Sequence, residues 1–111
     1  MGLSAELIAI GPFARALVPA LEHSAERYVH TTPGATVIST VLTAPGTSTS
    51  HELARACGVE AWDHKRHALD PEAIDLAAIE RLAQTLGSPD AAKALATLIA
   101  AGFELYYRPN G

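Results

Sequence analysis

Apolar and polar positions follow three patterns along the chain, and each predicts a different kind of element. The run "AELIAIG" from Ala5 is almost wholly apolar and ends at Gly11-Pro12, too soon for a stable helix, so it predicts a buried strand. The run "ATVISTVLTA" to Ala44 is rich in β-branched residues. Val37, Ile38, Val41 and Leu42 fall on both of its faces, which predicts a strand near the centre of a sheet. "FELYYR" alternates instead. Phe103, Leu105 and Tyr107 share one face and Glu104, Tyr106 and Arg108 the other, as in a strand with one side in the core.

The remaining apolar positions recur at helical spacing. Phe13, Leu17 and Leu21 form one stripe after Pro12, which suits a first helical turn, and Pro19 predicts a kink. "ERYVHTTPGAT" reads as a loop with a turn at Thr32-Pro33-Gly34-Ala35. Thr49 and Glu52 have capping-box spacing ahead of "LARAC", and Gly58 predicts the end of that helix. Asp70-Pro71-Glu72 reads as a second start, followed by Ile74, Ala78, Leu82 and Leu86 on one stripe with Ile79 beside it. Gly87 stops that helix. Ser88-Pro89-Asp90 opens another that carries Leu95, Leu98 and Ile99 and ends at Gly102. Two helices joined so closely should form an αα-hairpin. The expected fold is therefore α+β: a small three-stranded sheet, in the order β-α-β-α-α-α-β, covered by helices that include a C-terminal αα-hairpin.

Composition narrows the class. A chain of 111 residues, 49% hydrophobic, is expected to fold as a single domain over 1–111. Its net charge of −4 offers no basic face, so no nucleic-acid partner is expected. The apolar runs are too short for a membrane span, and "MGLSAELIAIG" has neither a basic leader region nor a lipidation pattern, so the expected setting is the cytoplasm. Abundant alanine, with arginine in excess over lysine, has the bias of a GC-rich bacterial coding sequence.

Little conventional chemistry is present. Cys57 stands alone, near a helix C-terminus that disfavours a thiolate, and suits a buried apolar role. There is no Gly-x-Ser-x-Gly elbow. His64 and His67 are three apart rather than four, so no metal site and no cofactor is expected. The strand-to-helix loop "APGTSTSHE" has the setting of an anion site, with Thr49, Ser50 and His51 as its polar groups, but it lacks the lysine of a phosphate loop and reads first as a helix cap. The densest polar stretch is "AWDHKRHAL". Trp62 beside Asp63, Arg66 and His67 is the residue mix of protein-binding hot spots, and Tyr106 and Arg108 add a second such pair.

"IAIGPF" near the start, "WDHKRHALDP" in the middle and "AGFELYYRPNG" at the end together resemble a family of small uncharacterised bacterial cytoplasmic proteins, similar in size and style to immunity and accessory proteins. The resemblance covers most of the chain and assigns no catalytic residue. What it implies, with the residues above, is a non-enzymatic protein-binding domain of the toxin-neutralising or accessory kind, with Trp62, Asp63, Arg66, His67, Tyr106 and Arg108 as the partner-binding set. The alternative is a small ligand- or anion-binding domain, with or without an enzymatic activity, built on the helix start at Thr49-Glu52. A homo-oligomer paired through the last strand is a further expectation.

Overall fold

The computed structural model describes residues 4–12, 26–29, 36–60 and 66–110, and among the described residues there are five strands and three α-helices. The strands are β1 (Ser4–Pro12), β2 (Glu26–Val29), β3 (Thr36–Ala44), β4 (His67–Ala68) and β5 (Glu104–Asn110). The helices α1 (Thr47–Ala56), α2 (Leu76–Thr85) and α3 (Ala91–Ala100) all lie between β3 and β5 in the chain. The sheet order is β2-β3-β1-β5-β4, and every neighbouring pair is antiparallel. β3 and β5 therefore run the same way on either side of β1, joined through the helices as a split β-α-β unit.

This corrects the expected three-stranded sheet. The α+β class stands, but the sheet has five strands, and β1 rather than β3 is its centre. Both extra strands are short edges. β2 falls within the stretch read as a loop, and its four residues pair with Val37 to Thr40 of β3. β4 pairs only its two residues with Tyr106 and Tyr107. Strands this brief carry no readable alternation and are held by backbone bonds to a longer neighbour. The last strand, expected as an edge open to another copy, has β4 on its outer side over Tyr106 and Tyr107. The helix expected at Phe13–Leu21 and the turn at Thr32–Ala35 lie outside the described residues.

A β-bulge explains another departure. Leu7 pairs with Leu42 and Ile8 with Thr40, so Val41 is the extra residue. Val41 and Leu42, expected on opposite faces, both join the main core in consequence. That core lies between the sheet and the helices. Ala5, Leu7 and Ala9 of β1 and Leu105 and Tyr107 of β5 meet Leu53 and Cys57 of α1, Ile79 and Ala83 of α2 and Leu95 and Leu98 of α3. Each fully buried leucine or isoleucine contributes about 1.5–3 kcal/mol. Gly11 admits the Phe103 ring, because a Cβ there would lie 2.7 Å from Phe103 Cγ.

The helix starts also differ from expectation. Asp70-Pro71-Glu72 makes only a 3₁₀ turn (Pro71–Ala73), with the Asp70 carboxylate accepting from the Glu72 N–H at 3.0 Å. Ile74 is extended and buried. Asp75 then supplies the true cap of α2, accepting from the Ala78 N–H at 3.1 Å while its own N–H donates to the Ala56 carbonyl. Asp70 with Pro71 has the residue types of a helix start, but its carboxylate serves only the 3₁₀ turn, and a second aspartate serves the helix. The Thr49–Glu52 capping box does not form, since the helix begins a turn earlier with Gly46 at the cap position. Gly58, Gly87 and Gly102 have φ of +76°, +77° and +83° just past the three helix ends. Among the described residues no helix is long and apolar enough to cross a membrane.

Candidate functional site

The expected anion site at the start of α1 is built from small polar residues turned to structural use. Ser50 is fully buried, and its hydroxyl donates to the Gly46 carbonyl at 2.7 Å and the Ala44 carbonyl at 3.2 Å. The Thr49 hydroxyl donates to the Pro45 carbonyl. Both hydroxyls thus tie the helix start back onto the end of β3. Tyr107 reinforces the joint from the sheet, donating its hydroxyl to the Ser50 carbonyl at 3.3 Å. His51 follows, half-buried, in the first turn of the helix.

The polar residues of β5 form a different kind of cluster. Residues paired across antiparallel strands project to the same side of a sheet. Arg108 pairs with Glu6, Tyr106 with Ile8 and Glu104 with Ile10, so these six share the face opposite α1, α2 and α3, where Ile8 is itself buried. The Arg108 guanidinium is bonded to the Glu6 carboxylate through Nη2 and Oε2. Thr40, across the sheet on β3, donates its hydroxyl to the same carboxylate oxygen at 3.4 Å. One turn of the pleat away, the Tyr106 hydroxyl donates to Glu104 Oε2 at 2.8 Å. The Arg66 guanidinium carbon lies 4.5 Å from the centroid of the Tyr106 ring.

The electrostatics follow from these contacts. The hydrogen bond to Glu104 holds the Tyr106 proton and raises its phenol above the ordinary value, reinforced by partial desolvation and the carboxylate charge and opposed by Arg66. Tyr106 is thereby fixed as a neutral donor with one edge committed to Glu104 and one face to Arg66. A ring restrained on two sides loses little freedom when it meets another surface, which is what an aromatic contact residue needs.

Of the six residues expected to bind a partner, the pairing of β4 with β5 brings Arg66 and Tyr106 into contact, with Arg108 two residues further along the same face. His67 lies on the opposite side. It pairs with the buried Tyr107, with ring centroids 6.4 Å apart, at the margin of the helix-covered layer. Trp62 and Asp63 lie outside the described residues. Glu6 and Glu104 were not singled out by sequence reasoning. The alternation of β5 already put Glu104 beside Tyr106, whereas the partnership of Glu6 with Arg108 depends on a strand pairing between opposite ends of the chain. Among the described residues no three His, Cys, Asp or Glu side chains are grouped so as to hold a metal ion.

No known family matches the chain, and no curated protein or solved structure is significantly similar to it.

Proposed function

We propose that this chain is a protein-binding domain that acts by covering a partner's surface, of the kind that serves bacteria as immunity or accessory proteins in the cytoplasm. The observation that supports this reading is the Arg66–Tyr106–Glu104 cluster, an aromatic ring at the sheet margin held by a stacked guanidinium and a hydrogen-bonded carboxylate. Tyrosine and arginine dominate binding energy at interfaces, and they do so best when held in place before contact. Arg108 and Glu6 extend the same face with a second ordered charge pair.

The test is capture of a stoichiometric partner from the native cells by the wild-type chain and by an Arg66→Ala/Tyr106→Ala double variant with unchanged circular dichroism. The expected result is one partner held by the wild type and lost by the variant. Equal capture by both, or no stoichiometric partner for the wild type, refutes the reading.

A further inference from the structure

Beyond Leu69 the chain separates from β5. The Leu69 N–H donates to the Leu105 carbonyl at 2.9 Å, and the next residues turn into the 3₁₀ segment. Pro71 has no N–H with which to extend the ladder. The two segments diverge there and leave a pocket of about 330 Å³, lined by Ala68, Leu69, Pro71, Phe103, Leu105 and Tyr106, with Glu104 as its acidic member. That volume is near the lower limit of ligand pockets, about 300 Å³, and suits one large side chain rather than a cofactor.

The pocket shares a wall with the proposed contact cluster. Tyr106 is at once the ring under Arg66 and a lining residue, so a side chain seated there would touch the restrained tyrosine. The charges nearby are acidic on balance, with Arg66 on the Tyr106 ring as the opposing cation. Glu104 lines the pocket, and the exposed Asp70 and Glu72 flank Pro71, on a chain of net charge −4. A larger groove of about 410 Å³ between α1 and α2 carries Glu52, Asp75, Arg55 and Arg81, and this balance of charge selects no partner. Resting on the protein-binding reading, we infer that the β4–β5 pocket receives an aliphatic side chain of the partner, presented by a segment with basic residues on either side.

The tests are titrations of the 15N-labelled full chain with three blocked tripeptides: Lys-Leu-Lys, Glu-Leu-Glu and Lys-Ser-Lys. Lys-Leu-Lys should shift the amides of Ala68, Leu69, Leu105 and Tyr106 in a saturable way, and the other two should bind roughly tenfold more weakly. Ala68 is exposed on the edge strand, so Ala68→Phe should fill the pocket and abolish the shifts while leaving the spectrum dispersed. Glu104→Lys should transfer the preference to Glu-Leu-Glu. Absence of saturable shifts at the pocket, or equal binding of all three peptides, overturns the inference. Failure here is separable from failure of the broader reading. A cellular partner that is lost by the Arg66→Ala/Tyr106→Ala variant, with silent tripeptides, removes the pocket alone. Saturable tripeptide shifts without any captured partner remove the protein-binding reading alone.

Discussion

The two faces of the sheet are held by different physics. On the helix-covered face Leu7, Leu42, Leu105 and Tyr107 lie at 0–2% exposure against leucines and alanines of three helices. On the other face Ile8 is buried as fully, and the polar residues around it are ordered by one another: Glu6 with Arg108 and Thr40, and Tyr106 with Glu104 and Arg66. Apolar packing is non-directional and accounts for most of the folding energy, whereas a charged pair near solvent contributes little energy but fixes geometry. One face therefore supplies most of the folding energy, and the other, around the buried Ile8, holds polar residues in defined positions. Substitutions on the two faces should separate these roles.

The largest effect is expected in the helical layer. Leu98 on α3 is fully buried, and Leu98→Ala should cost about 2–5 kcal/mol, read as a lower urea midpoint. A loss under 1 kcal/mol would mean that α3 contributes little to the core. Gly11→Ala tests the same layer by overfilling it. The new methyl would press on the Phe103 ring, and a cost of ~1–3 kcal/mol is expected in the same denaturation experiment. A neutral result would show that the ring can retreat.

Alkaline stability probes the helical layer by titration. Burial pushes the Cys57 thiol from near 9 up to about 12, and burial also raises the Tyr107 phenol, with the neighbouring Cys57 adding to the rise. Above pH 9 the unfolded chain releases the thiol proton while the folded chain keeps it. The unfolded state then binds fewer protons, and stability falls as pH rises. Stability should be intact below pH 9 and decline through the window up to about 12, approaching ~1.4 kcal/mol per pH unit for the thiol. Cys57→Ala should flatten that decline. An unchanged slope would place its cause elsewhere.

How much of each face could be read in advance follows from the same contrast. The helical face is written in local pattern. The alternation of Phe103, Leu105 and Tyr107 and the stripe holding Leu95 and Leu98 need only one element at a time, and the structure buries all five. Two features escaped because they depend on neighbours. The bulge at Val41 exists only relative to β1, and β2 and β4 only relative to longer strands. The polar face shows the same limit in sharper form. Tyr106, Arg108 and Arg66 could be nominated by residue type, but their partners could not, because Glu6 and Arg108 are 102 positions apart. His67 and Arg66 are adjacent in sequence and fall on opposite sides of the sheet, which composition alone cannot reveal.

The smallest effect is expected on the polar face, at the Glu6–Arg108 pair. The side chains are 12% and 36% exposed, so water screens the interaction and its contribution should be modest. A double-mutant cycle of Glu6→Gln and Arg108→Met should give a coupling of ~0.5–1 kcal/mol. It should shrink in 1 M salt, where the screening length is ~3 Å. The Thr40 hydroxyl complicates the single variant at Glu6, since it retains an acceptor in glutamine and reports on packing rather than charge. The cycle removes that contribution, because it is present with and without Arg108. A coupling above ~3 kcal/mol, insensitive to salt, would put this face on the same energetic footing as the leucine layer. The ion pair would then be part of what makes the chain fold, and the division between a folding face and a presenting face would fail.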